Sequence, residues 1–86
     1  MSDSGITMYG AMWCGDCRRS KSLLDALGID YNYVDLEEKP EAADEAQAIS
    51  GRKNIPVIVF PDGTHQVEPS DPDLHSKLVS LGAVAQ

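Results

Sequence analysis

Two thiols three positions apart, in Trp13-Cys14-Gly15-Asp16-Cys17, are the groups of this chain best suited to chemistry. An alternating apolar stretch, Ile6 to Gly10, leads into them, and a helix-like stretch, Arg18 to Leu27, leads away. The pair therefore falls where a strand hands over to a helix. The first N–H groups of a helix lack partners within it, and the helix dipole places partial positive charge there. A thiolate at that point is stabilised, so Cys14 is expected to be a nucleophile usable near neutral pH. Cys17, one turn further on, can attack the Cys14 sulfur and close a disulfide. The chemistry this spacing implies is thiol–disulfide exchange.

The remaining sequence has to hold that pair in place. Ile6 to Gly10 reads as a strand, and the helix after the thiols shows Leu23, Leu24 and Leu27 on one face, with Gly28 past its end. Tyr31 to Leu36 reads as a second strand, and the helix-bearing link to it predicts a parallel pair. Pro40 suits the first position of a second helix carrying Ala42, Ala43, Ala46 and Ile49 and closed by Gly51. Val57 to Phe60 is a buried strand by its continuous apolar run, and Asp62-Gly63 is a two-residue hairpin signal. Thr64 to Val67 returns antiparallel as an edge. Asp71 then reads as an N-cap, with Pro72 in the first helical position and Leu74, Leu78 and Leu81 lining a last helix. The order is βαβαββα, an α/β fold, expected as one domain over residues 1–86.

Composition narrows the function. At 86 residues and 42% hydrophobic the core is small, burying roughly 60% of the unfolded surface. No run approaches the roughly 20 apolar residues that span a bilayer, so no membrane role is expected. Met1 to Gly5 lacks the pattern of a secretory signal. The expected location is cytoplasmic, where a lone C-x-x-C is catalytic more often than structural. The net charge of −7 argues against nucleic acid as a partner. The charge is unevenly spread: Arg18, Arg19 and Lys21 follow the thiols, Arg52 and Lys53 precede Ile55-Pro56, and seven acids against Lys39 fill residues 30–45. The basic clusters read either as solvated faces or as a positive rim for an anionic thiol substrate.

Taken together, the order of elements and the dithiol after the first strand resemble the minimal thioredoxin-like fold of the glutaredoxins. Ile55-Pro56 entering the apolar strand, the Pro61-Asp62-Gly63-Thr64 hairpin and Pro69-Ser70-Asp71 opening the last helix carry the likeness further. Within that family the chain is most similar to the mycoredoxins, through Trp13 before the first cysteine, the Asp-Gly-Thr hairpin and Pro-Ser ahead of the last helix. The resemblance implies a four-stranded mixed sheet flanked by three helices, and a cis Ile55-Pro56 bond beside the dithiol. It also implies that the backbone of Ile55 accepts the bound thiol as a strand partner. Ser70 and Asp71, with Arg52 and Lys53, would hold a low-molecular-weight thiol, mycothiol or otherwise glutathione, and Trp13 would contact the partner. Clients would be S-thiolated or disulfide-containing proteins, with no cofactor beyond the thiol co-substrate and a monomeric enzyme. Where glutaredoxins usually have Cys-Pro-Tyr-Cys, Gly15-Asp16 stands here. Asp16 is then expected to oppose the Cys14 thiolate by like charge and raise its pKa, with Arg18 and Arg19 offsetting it.

Other readings predict different chemistry. Glutaredoxin-like electron donors to ribonucleotide reductase draw on thioredoxin reductase and ignore small thiols; the Trp-Ser-Gly-Phe-like signature many of them carry is absent here. Some glutaredoxins hold a [2Fe–2S] cluster between two subunits, which Gly15 would accommodate. A zinc site would need ligands besides the cysteines, and the spacing of His65 and His75 does not suit one, so no metal is expected. Two inert buried thiols would be the purely structural alternative.

Overall fold

The computed structural model describes residues 5–84; most of the Met1 to Gly5 segment read above for a signal lies outside them. The expected order is present: β1 Thr7–Gly10, α1 Gly15–Ala26, β2 Asn32–Asp35, α2 Ala42–Ser50, β3 Val57–Val59, β4 His65–Val67 and α3 Asp71–Ser80. The strands form one mixed sheet ordered β2-β1-β3-β4. β1 pairs parallel with β2 and antiparallel with β3, and β3 pairs antiparallel with β4.

Alternation along β1 and β3 sorts the core onto both faces of the sheet. Met8 and Ile58 point to one face, where Leu24 of α1 and Leu74 and Leu78 of α3 close over them with Ile6 and Phe60. Tyr9 and Val57 point to the other, covered by Ala42 and Ala46 of α2. The small residues of α2 let that helix lie close to the sheet, and Tyr9 reaches past them to donate its hydroxyl to Glu45 at 3.0 Å.

Three local expectations are corrected. The last helix is capped by Ser70, whose hydroxyl accepts the Asp73 N–H at 3.2 Å, so Asp71 is the first helical residue and Pro72 the second. Pro40 lies in the turn before α2: the Ala43 N–H reaches the Pro40 carbonyl at 3.1 Å, and the helix begins at Ala42 after Glu41. The hairpin loop is three residues long, since the Phe60 N–H bonds to the Thr64 carbonyl across Pro61-Asp62-Gly63. Gly63 takes the left-handed conformation such loops use at their end, with φ 86°. Asp62 organises this loop, accepting from the Thr64 N–H and hydroxyl and pairing with Lys77 of α3 at 2.7 Å. These partners hold its carboxyl well below the usual range.

Candidate active site

Cys14 is the N-cap of α1, with extended backbone, and its sulfur accepts the Cys17 N–H at 3.4 Å. One of the free N–H groups of the helix start is thus aimed at this sulfur, as the sequence position required. The Cys14 thiol also lies 3.8 Å from the Ile55 carbonyl, to which it donates. The Ile55-Pro56 peptide is cis. Both cysteines are free thiols.

The two thiols differ sharply. Cys14 is half-buried, whereas Cys17 is completely enclosed among Met8, Leu24 and their neighbours. Burial is the main reason the Cys17 thiol is pushed up to about 12; the Ala11 backbone pulls it down, and Cys14 and the Asp16 charge add to the rise. This has a measurable consequence. Between the ordinary thiol value of 9.0 and about 12, the folded state keeps a proton that the unfolded chain has lost, so rising pH favours unfolding. The reduced protein is expected to lose stability above pH 9 with a slope of up to about 1.4 kcal/mol per pH unit from this group. Chemical denaturation at pH 8, 9 and 10 will test it: Cys17→Ala should show a shallower loss than the parent, and parallel curves would refute it.

Space for Cys17 comes from Gly10, which the sequence reading used only to end a strand. A Cβ on Gly10 would meet the Cys17 sulfur at 3.1 Å and its Cβ at 3.3 Å. A glycine inside a strand does signal close approach of another group, so this contact was available to inspection.

Asp16 is half-exposed on the first turn of α1, and Arg19 takes its carboxylate at 2.9 Å. Arg19 extends to α3 as well, donating to the Pro69 carbonyl at 3.1 Å and approaching Asp71 at 3.5 Å. Arg18 folds back to donate to the Met12 carbonyl at 2.7 Å. Lys21 pairs with Asp25 at 3.1 Å and stands over the rings of Tyr31 and Tyr33. The basic cluster after the thiols is therefore largely engaged within the fold.

The second basic cluster behaves differently. Arg52 and Lys53 line a cleft of about 390 Å³ together with Trp13, Ile55, Ala11 and Glu37. Trp13 is 69% exposed at its rim. Glu37 supports the loop ahead of Cys14 by accepting the Met12 N–H at 3.3 Å, a role set by a partner 25 positions away in the chain. The structure thus brings Trp13, Arg52, Lys53 and Ile55 together beside Cys14. Ser70 and Asp71 do not line this cleft; they stand at the start of α3, tied to α1 through Arg19. The turn before them is fixed by Glu68, at φ 48°, whose N–H bonds to the Pro56 carbonyl at 3.0 Å.

Among the described residues no group of three or more His, Cys, Asp or Glu side chains is placed to hold a metal ion. No helix there is long and apolar enough to cross a membrane.

A half-buried thiol thus caps a helix, with a buried thiol behind it and a cis prolyl peptide alongside. The Glutaredoxin family model matches residues 6–66. A protein of Mycobacterium tuberculosis (strain CDC 1551 / Oshkosh) assigned to the glutaredoxins is 34% identical over 82 residues, 94% of this chain and 98% of that protein. Mycoredoxin 1 of Corynebacterium glutamicum is 31% identical over 80 residues, 91% of this chain and 98% of its own length. The glutaredoxin-like NrdH-redoxin of Escherichia coli superposes with a TM-score of 0.70 at 27% identity, covering 85% of this chain and 92% of that one. Fold, dithiol and sequence agree, and the chain belongs to the glutaredoxin family of thiol–disulfide oxidoreductases.

Proposed function

We propose that this enzyme reduces mixed disulfides between proteins and a low-molecular-weight thiol, that the thiol is mycothiol, and that it does so in the cytoplasm as a monomer without a bound cofactor. The observation that carries the reading is the Cys14 sulfur, capped by the Cys17 N–H and 3.8 Å from the carbonyl of Ile55, which lines the cleft with Trp13, Arg52 and Lys53. The likeness to mycoredoxin 1 over nearly the whole chain supports mycothiol in place of glutathione.

In this mechanism the Cys14 thiolate attacks the small-thiol sulfur of the mixed disulfide. The client leaves as a thiolate and takes a proton from water, while the small thiol stays joined to Cys14. A second molecule of small thiol then attacks that bond, leaving as its own disulfide and returning Cys14 to the thiolate. Alternatively Cys17 loses its proton and attacks the Cys14 sulfur, releasing the small thiol and forming Cys14–Cys17. With the Cys17 thiol pushed up to about 12, few molecules hold a Cys17 thiolate at neutral pH. Burial of Cys17 thus favours the first route, which needs no Cys17 thiolate. Ile55 lends its backbone to the bound thiol, Trp13 bounds the cleft and Pro56 keeps the loop against Cys14. Asp16 tunes the dithiol by its charge, and Ser70 and Asp71 bound the opposite side.

Arg52 and Lys53 offer donors to oxygen atoms of the thiol, and Arg52→Ala is expected to raise KM by up to about fivefold, one exposed contact, with kcat changed less than about twofold. For a carboxylate-bearing thiol the loss shrinks in high salt; for a hydroxyl-bearing one it does not. The coupled assay uses a mycothiolated peptide, mycothiol and its reductase with NADPH. Unchanged kinetics in Arg52→Ala and Ser70→Ala would place the thiol elsewhere.

The similarity to NrdH-redoxin favours one second reading, an electron donor to ribonucleotide reductase recharged by thioredoxin reductase. NADPH consumption with thioredoxin reductase, and none with the mycothiol system, would establish it instead.

A further inference from the structure

The turn that carries Cys14 has little apolar packing of its own. Ala11 is buried, but Met12 is 44% and Trp13 69% exposed, and the Cys14 N–H bonds back to the Ala11 carbonyl at 3.1 Å. A segment with few buried apolar contacts opens easily unless its backbone is held. Here both backbone polar groups of one residue, Met12, are taken by charged side chains. Glu37 Oε1 accepts its N–H at 3.3 Å, and Arg18 Nη1 donates to its carbonyl at 2.7 Å.

The two side chains come from separate elements that are anchored themselves. Glu37 follows β2; its own N–H is tied to Asp35 Oδ1 at 2.9 Å, and the neighbouring Leu36 N–H to the Gly10 carbonyl at 2.9 Å. Arg18 stands in the first turn of α1, where its backbone N–H bonds to the Cys14 carbonyl at 3.0 Å. Its guanidinium turns back along the dithiol turn, and Nη2 lies 3.7 Å from the place a Cβ on Gly15 would take. The bare Gly15 leaves that path open. A hydrogen bond from a charged donor is the stronger kind, and at 2.7 Å this one is at the short end of its range.

We propose that Arg18 and Glu37 are positioning residues that hold the Met12 peptide from both sides and so set the direction in which the Cys14 sulfur meets a disulfide. In thiol–disulfide exchange the attacking, attacked and leaving sulfurs lie near one line, so a misdirected thiolate reacts slowly even when the substrate is bound. The cap on α1 does not depend on this clamp, because the Cys17 N–H bond to the sulfur and the Arg18 N–H bond to the Cys14 carbonyl both lie within the helix start. What the clamp adds is the placement of the sulfur against Ile55, whose carbonyl is 3.8 Å away. Because only the placement of Cys14 is at issue, the same holds whether a small thiol or thioredoxin reductase recharges the enzyme.

The test reads two reactions of Cys14 in the reduced protein. One is single-turnover reduction of a mycothiolated peptide, which has to be oriented; the other is alkylation by iodoacetamide, which needs no docking. In Arg18→Ala the saturating rate with the peptide should fall about tenfold or more, within the range that a shift on the order of 1 Å produces. The half-saturating peptide concentration should stay within about twofold, and the alkylation rate should match the parent from pH 6 to 9. Arg18→Lys, which keeps a cation and a donor for the Met12 carbonyl, should recover most of the loss. Glu37→Ala should show the same fall in the saturating rate, and the double variant should lose little more than either, because one freed peptide is the common cause. Should Arg18→Ala fail to melt cooperatively, Glu37→Ala is read in its place. Alkylation that falls in step with peptide reduction, a saturating rate equal to the parent's, or losses that multiply in the double variant would each overturn the proposal. If the parent reduces no mycothiolated peptide but draws on thioredoxin reductase, the small-thiol reading fails alone, and the same comparison is made with insulin as the disulfide substrate.

Discussion

Cys14→Ser is expected to lower turnover of a mixed disulfide by on the order of a thousandfold or more, to the uncatalysed background, while Cys17→Ser retains a readily measured fraction. The reason lies in the asymmetry of the two sulfurs. Cys14 is the one open to substrate, and it receives an N–H of the helix start. A serine hydroxyl at that place is not appreciably ionised near neutral pH and does not form the mixed disulfide. Cys17 is enclosed, its thiol held protonated by burial, and in the proposed cycle the small thiol regenerates Cys14 without it. Steady-state rates with each variant, read between pH 6 and 9, will decide the matter. The parent should gain on Cys17→Ser as pH rises, because only the parent has the second route. Equal loss in the two serine variants would rule out a cycle run by Cys14 alone.

Leu74→Ala is expected to cost about 2–5 kcal/mol of stability, a large share of the roughly 5–15 kcal/mol that holds a typical domain together. Leu74 is fully buried in the first turns of α3, facing the α1 side of the sheet beside Leu24, Ile58 and Phe60. Removing its side chain leaves a cavity in the small core beneath the helix start that carries Ser70 and Asp71. Urea denaturation will show a lower midpoint. A loss under about 1 kcal/mol would mean that the site collapses without a cavity, and that α3 is held chiefly by its polar links, Lys77 to Asp62 and Asp71 to Arg19.

Much of this was written plainly in the chain. Strand and helix order followed from short-range patterns: alternation in Ile6 to Gly10, leucines at helical spacing after Cys17, the apolar run Val57 to Phe60. The position of Cys14 on α1 followed from that order, because a sulfur between a strand and a helix has little choice but to cap it. What the chain did not show depended on partners distant in sequence. Ser70 and Asp71 can each cap a helix, and both precede or adjoin Pro72. Ser70 takes the cap while Asp71 faces Arg19, fifty-two positions earlier, an arrangement settled by packing of α3 on α1. Arg19 itself read as one of several charges after the dithiol, and only its reach to Pro69 sets it apart. The cleft, too, is a product of assembly: Trp13 and Arg52 line it together because β1 and β3 are neighbours. Pro40 was misplaced for a more local reason, since the turn that the chain makes at Pro40-Glu41 postpones the helix to Ala42.

The pairing of β1 with β3 has a further meaning. Cys14 lies five residues beyond Tyr9, and Ile55 two residues before Val57; since Tyr9 stands opposite Val57, both emerge at the same end of the ladder. The strand alignment acts as a reading frame for the thiol and the carbonyl it faces. A slip of one residue would offset them by about 3.3 Å and would also turn every side chain of the slipped strand to the wrong face. Met8 and Ile58 belong under α1 and α3, Tyr9 and Val57 under α2. Because each face is packed against its own helix residues, a slipped frame would exchange side chains fitted to different surroundings. The alignment of the reactive sulfur is therefore proofread by greasy residues that never touch a substrate.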